Sequence, residues 1–220
     1  MNFQKLWWDE ADNVVYCFGG KRSFFAVSTR VPTESIWGFY PNGQGGGNWS
    51  EIVGPLGIKS FPPDIIRPAA GALTVNGAIR KAYYLGGFES SSTSPELDLP
   101  IHITRAAPGL LTFSFDSLTL TNASDGGYFA SEYSQSFAPR PGAMLNMSPF
   151  STNGVLIFIG GSGPVNTDVI PVSALFNNIT VFDPNEQKWY SQTANGAVPE
   201  PRQDFCAVGV QGGDDSTYEM

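Results

Sequence analysis

The chain has 220 residues, 41% of them apolar, 13% aromatic and only 15% charged, with 25 glycines and 17 prolines. That much apolar material argues against wholesale disorder, and the Gly, Pro and aromatic enrichment points to many short strands joined by turns. A formal net charge of -8 leaves no basic stripe for nucleic acid, and no apolar run approaches the roughly 20 residues that cross a bilayer.

The first residues, MNFQKLWWDE, lack a charged region followed by an apolar one and do not read as a signal peptide. The first strand-like run with an abrupt end is VVYCFGG at 14–20, closed by Gly19 and Gly20. A long polar connection, 21–34, leads to SIWGFY and then to Trp49. IIRP, with Arg67, precedes a second apolar run, AYYLGG, closed by Gly86 and Gly87. Connection 88–109 follows, then LLTFSF with Asp116 behind it. APRP carries Arg140 and precedes VLIFIGG, closed by Gly160 and Gly161. Connection 162–177, NITVFD with Asp183, Trp189 and Pro201-Arg202 complete the series. No window shows apolar recurrence at helical spacing, so the chain reads as all-β.

Two markers agree on a repeat. Six glycine runs occur, but only these three follow apolar strands; the others, 45–47, 126–127 and 212–213, lie in polar stretches. A strand stopped by Gly-Gly needs positive φ or close backbone approach. Arg67 precedes Gly86 by 19 residues, and Arg140 precedes Gly160 by 20. Trp49 follows Gly20 by 29 residues, and Trp189 follows Gly161 by 28. In the middle copy Asp116 aligns with Asp183, which puts Asn122 where the tryptophan should be. One unit is therefore four sequential strands, a sheet with two faces to bury that must stack on its neighbours.

The set of strand-Gly-Gly, Asp-Pro-x-x-x-x-Trp and Pro-Arg resembles the kelch repeat, whose family forms β-propeller blades. KWYSQTANGAVPEPRQDFCAVGV and LWWDEADNVVYCFGG are similar to kelch propellers of large fungal proteins, many of them secreted or membrane-anchored. The resemblance implies that Gly19, Gly20, Gly86, Gly87, Gly160 and Gly161 end the second strands. It implies that Trp49 and Trp189 pack between neighbouring blades. Arg67, Arg140 and Arg202 would hydrogen-bond backbone carbonyls near the blade joints. The repeat spacing here, about 65 to 75 residues, exceeds the kelch norm of about 50, and the excess lies in the loops after Gly-Gly.

On this reading residues 1–66 are a partial blade lacking its first strand, 67–139 and 140–201 are blades, and 202–220 begin a further one. That is about three blades, an incomplete ring, whereas propellers close with 4 to 8. The expectation is a fragment of a larger protein or a truncated gene product. The alternatives are closure with a second copy, or 203–210 swinging round as the missing first strand, which would bring Cys206 beside Cys17.

Catalytic candidates are sparse. His102 is the single histidine, and without a second His or a nearby Cys no zinc or copper site assembles. Cys17 and Cys206 sit in apolar runs and read as buried free thiols. GGSGPVN at 160–166 has no helix behind it and reads as a turn rather than a phosphate loop. The neighbours Asp9-Glu10 and Asp214-Asp215 point in different directions on a strand and read as solvated turns. No cofactor is implied, and the chain reads as no enzyme. A galactose-oxidase-like propeller holds copper through His, Tyr and Cys, and this chain offers only His102 toward such a site. An intracellular adaptor would need an attached partner domain.

Four N-x-S/T sequons occur, at Asn48, Asn122, Asn146 and Asn178, in agreement with an extracellular or membrane-anchored parent. Because an antiparallel meander alternates ends, the connections 21–34, 88–109 and 162–177 all fall on one face. Long loops on a rigid scaffold are where binding concentrates. The functional expectation is a non-catalytic module presenting this face to a protein or glycan.

Overall fold

The computed structural model describes residues 2–22, 31, 33–100, 103–123, 143–148, 153–161, 176–202, 205, 207–213 and 217–219. Among them there is no helix, and the strands form three four-stranded antiparallel sheets. The first is β1 (Asn2–Asp9), β2 (Val14–Lys21), β3 (Ile36–Pro41) and β4 (Gly47–Val53), paired in that order. The second pairs β5 (Ala72–Asn76) with β6 (Lys81–Leu85). Its chain then detours through a two-stranded hairpin, β7 (Phe88–Glu89) and β8 (Arg105–Ala106). It returns as β9 (Leu110–Ser114), which pairs with β6, and β10 (Thr119–Ala123). The third sheet is β11 (Ala143–Ser148), β12 (Val155–Gly160), β13 (Asn178–Asp183) and β14 (Lys188–Thr193), again in order. A short hairpin, β15 (Val210–Gln211) with β16 (Tyr218–Glu219), follows.

The strands alternate because both faces of each sheet meet something different. VLIFIG of β12 runs half-buried, buried, half-buried along its length. Tight turns join successive strands, and Asn13, Arg80, Leu118 and Gln187 each stand at positive φ just before the returning strand. Asp183 Oδ1 accepts the Asn185 and Glu186 amides (2.8 and 3.2 Å), and Asn76 Oδ1 accepts that of Ala78 (3.1 Å). These side chains close the turn from within.

Two cores glue the sheets together. Between the first and second, Trp7 stacks on Phe18 (5.6 Å) and on Phe113 (5.4 Å), while Tyr16 meets Phe113 edge-on (5.1 Å). Between the second and third, Tyr83, Leu85 and Leu110 pack on Leu156, Phe158 and Phe182. Each fully buried large side chain contributes roughly 1.5–3 kcal/mol. Where strands of different sheets approach, they are the first strands: β1 with β5, and β5 with β11. The sheets thus converge on their first-strand edges, as consecutive blades do around a propeller axis.

The structure corrects the sequence reading at the opening blade. It is not partial, because Asn2–Asp9, with its LWWD run, supplies the first strand and pairs with β2 from Asn2↔Lys21 to Asp9↔Val14. The first sheet therefore has no first-strand place left to fill. Register also shifts the middle repeat. Phe39, Phe113 and Phe182 stand opposite Val15, Ala82 and Leu156. Facing those phenylalanines on the fourth strands are Trp49, Leu120 and Trp189. Leu120, buried at 4% exposure, therefore holds the tryptophan position, two residues before Asn122. Ser114, not Asp116, is the counterpart of Asp183. Matching the aspartates by type introduced a two-residue slip.

Candidate binding face

The loops after Gly-Gly start from a shared local geometry. Gly19 and Gly20 have φ of 77° and 90°, Gly86 and Gly87 68° and 87°, Gly160 and Gly161 67° and 87°, a region that L-residues avoid. The turned backbone presents its next amide to the joint of the following blade. Gly20 N donates to Pro68 O (2.9 Å) and Gly161 N to Arg202 O (3.1 Å). A Cβ on Gly19 would lie 2.9 Å from that same Pro68 oxygen.

Around the joint of the first two blades the described part of the loop face is tightly built. Arg67 is 1% exposed. Its Nε and Nη2 donate to Thr93 O (2.8 and 2.5 Å) and its Nη1 to Thr33 O (3.1 Å), so one guanidinium clasps loop backbone from two blades. Glu34 lies 3.7 Å away with its side chain 11% exposed. Burial pushes its carboxyl above the usual range, against the Ser94 hydroxyl and Arg67. Burial in turn lowers the Arg67 pKa, against the pull of Glu34.

The described parts of the connection 88–109 are pinned by backbone hydrogen bonds. Phe88 and Ala69 exchange both backbone hydrogen bonds (2.9 Å each), Ala107 N donates to Gly87 O (3.2 Å), and Arg22 N donates to Ser92 O (2.9 Å). Ser90, Thr93 and Ser94 are buried. Thr93 Oγ1 accepts Ser90 N and donates to Ser90 O (3.0 Å each). Across the hairpin, Arg105 Nε donates to Glu89 Oε2 at 2.7 Å, joining a buried carboxylate to a half-exposed guanidinium. Burial raises the Glu89 pKa and Arg105 opposes it. A cavity of about 50 Å³ lies beneath, between Pro68, Tyr84, Glu89, Arg105 and Asn122. The chemistry is that of a charged, hydrogen-bonding platform, with both carboxylates engaged by guanidinium groups.

The other candidates are scattered. Arg202 is exposed, with Nε on Glu200 O (3.2 Å) and its guanidinium over the Phe176 ring (6.0 Å). Trp49 is 55% exposed and, among the described residues, packs on Phe39 of its own sheet (5.1 Å). Trp189 is half-buried against Phe182 (4.8 Å), at the margin of the second core. Among the sequons, Asn48 is exposed on β4. Asn122 instead donates its Nδ2 to Pro108 O (3.3 Å), holding the amide in the turn into β9. Asn146 and Asn178 fall on β11 and β13, their side chains outside the described residues. Arg140, His102, Cys206 and Asp214-Asp215 lie outside them too. Cys17 is a half-buried free thiol whose pKa burial raises.

At the opposite end, Asp9 is not a solvated turn residue. It is 3% exposed and receives Arg80 at 3.2 and 3.0 Å, while Asp12 and Asp116 hold the same guanidinium at 2.6 Å. Sequence reasoning missed Arg80, Glu34, Glu89 and Arg105. In a chain with 15% charge, a charged residue set among apolar or small ones is the signal that could have drawn attention to them, as with Glu89 in GGFESS.

No family model matches this sequence, and no curated protein does. Among solved structures, YjhT aligns over 87% of this chain and 49% of its own, at 11% identity and a TM-score of 0.49. A fungal alcohol oxidase of the AA5 family, in complex with copper, aligns over 90% of this chain and 44% of its own, at 12% identity and a TM-score of 0.48. The chain spans about half the length of these structures or a little less.

Proposed function

We propose that this chain is a non-catalytic binding module, a run of propeller blades that holds its post-Gly-Gly loops out to a partner protein or glycan. The observation that carries this reading is the construction of the β6–β9 connection. Its base is fixed by the Phe88–Ala69 pair, the Arg67 clasp and the Glu89–Arg105 bridge, so the residues beyond it are displayed from a rigid seat. Pre-organised loops bind without the entropic cost of ordering, and the guanidinium of Arg105, 52% exposed on its side chain, gives the surface a hydrogen-bonding fork. A fold hosts many functions, so the reading rests on this local architecture.

Replacing residues 95–104 by a short Gly-Ser linker tests it, since both halves of the β7–β8 hairpin remain. The labelled full chain and the shortened one are applied to a glycan array and to an array of purified extracellular proteins. Features bound by the full chain and weakened at least tenfold by shortening support the reading. Binding unaffected by shortening, or no bound feature on either array, overturns it.

A further inference from the structure

At the end of the molecule opposite the loop face, the tight turns of the first two sheets flank a cleft of about 460 Å³. It lies where the end of β1 meets the end of β5, and Trp8, Asp9, Glu10, Val75, Gly77 and Phe115 line it. That volume is within the range of sites that hold small organic molecules, roughly 300–1,000 Å³. The floor is apolar: Phe115 is buried at 3% exposure, and Val75 packs against the first core. β1 is the edge strand of its sheet, so a cleft at its end meets both faces. Asp9 comes from the side of the second sheet and Trp8, 56% exposed, from the other.

The rim is acidic, and its guanidinium is already engaged. Arg80 gives Nη1 and Nη2 to Asp9 (3.2 and 3.0 Å), Nη2 also to Asp12 and Nε to Asp116 (2.6 Å each). Three carboxylates on one cation leave these turns negative, and Glu10, on the cleft wall, adds a fourth. Glu10 is exposed, and its carboxylate makes no ion pair among the described residues. Lys81, next after Arg80, shares a face of β6 with Tyr83 and Leu85, which pack toward the third sheet, so it stands on the far side. A low-dielectric cleft rimmed by one sign of charge focuses its field on whatever enters. The floor can take an apolar body, Glu10 can pair with a positive charge, and an indole face attracts the same charge. A hydrated metal ion would gain nothing from Phe115, Val75 and Trp8.

We propose that this cleft binds a small organic ammonium, an arylalkylamine with its charge at one end and a flat ring at the other. The ring lies on Val75 and Phe115, and the ammonium sits between the Glu10 carboxylate and the Trp8 indole. Because the cleft is at the opposite end from the post-Gly-Gly loops, this inference is independent of what the loop face binds.

Isothermal titration of the full chain with 2-phenylethylammonium chloride, at neutral pH and low salt, tests it. Saturable binding is expected with a Kd of about 0.1–3 mM, the scale for a ligand of this size. Phenylacetate has the ring with the opposite charge, and ammonium chloride has the charge without the ring. Each should bind at least tenfold more weakly. Glu10→Gln and Trp8→Leu change exposed side chains, and circular dichroism checks that both variants stay folded. Each should raise Kd about threefold or more, within the reach of one exposed ion pair or cation–π contact. Arg105→Met, at the loop face, should leave Kd unchanged. No saturation by about 10 mM overturns the proposal. So does equal binding of phenylacetate, or equal binding of bare ammonium, which would mark a charge cluster only. A Kd that moves with Arg105→Met and not with Glu10→Gln or Trp8→Leu overturns it by placing the ligand elsewhere. Tighter binding of N-acetyl-lysine amide than of the arylalkylamine also overturns it, since the cleft would then suit a protein side chain.

Discussion

Replacing Arg67 by Met tests whether the clasp at the first joint is a structural keystone. The side chain is 2% exposed and supplies the hydrogen bonds to Thr93 O and Thr33 O, with Glu34 3.7 Å away. Met keeps much of the stem's volume, so the loss is chiefly polar. It leaves two carbonyls without this donor and a largely buried carboxylate without its counter-charge. Breaking a buried pair by removing one partner costs about 3–5 kcal/mol. With a urea m-value of about 3 kcal/mol/M for a chain of this size, the midpoint should fall by roughly 1–1.7 M. The Glu34→Gln background separates the contributions, because a neutral Gln needs no counter-charge, and there the Arg67→Met loss should shrink by about 1 kcal/mol or more. A loss below about 1 kcal/mol, or an equal loss in both backgrounds, would refute the reasoning. The same pair predicts a pH slope. Burial raises the folded-state pKa of Glu34 above its ordinary 4.5, so the folded chain binds the proton more tightly. Its contribution to stability is then greatest below 4.5 and is lost as pH rises through the folded value. Glu34→Gln should remove that part of the decline in urea midpoint across the acid range.

Leu120→Ala should cost about 2–5 kcal/mol by opening a cavity between the first two blades, while Asn122→Ala costs less. Equal effects in urea unfolding would undo the register assigned to the middle repeat. Gly87→Ala should abolish cooperative folding, since its φ is 87° and the added Cβ would collide with Ala69 O; a midpoint within about 0.3 M of wild type would contradict the tight joint, strain alone being worth about 1–2 kcal/mol. Burial raises Tyr16 to about 12, with Tyr40 and Asp9 adding to it, and burial raises Tyr83 to about 12. Both folded values stand above the ordinary 10, so the stability they contribute is intact below pH 10 and is lost as pH rises toward 12. Absorbance at 295 nm should show them ionising together with unfolding, and free titration near pH 10 in a chain with native circular dichroism would contradict this.

Much of the blade pattern was legible because it rests on backbone demands that few residues meet. Strand-ending Gly-Gly pairs require positive φ beside a neighbouring carbonyl, and only glycine does that without strain. The fourth strands were harder to place, because Trp49, Leu120 and Trp189 share a position defined by burial and cross-strand register rather than by residue type. The first strand was missed because NFQKLWWD lacks a terminating glycine pair and places two tryptophans side by side, of which Trp7 is fully buried and Trp8 exposed. The loop-face ion pairs were illegible for a different reason. Glu89 and Arg105 are 16 residues apart and Arg67 and Glu34 lie 33 apart, so only the folding-back of two connections brings them together.

The distribution of the five tryptophans makes the chain its own optical probe. Trp7 is sealed in the first core and Trp189 half-buried, while Trp8, Trp37 and Trp49 crowd onto one open sheet face. Emission should therefore be red-shifted for a folded β protein and strongly quenched by acrylamide. Anything that covers that face will move the spectrum to the blue without added dye, so its covering can be followed by intrinsic fluorescence at low concentration.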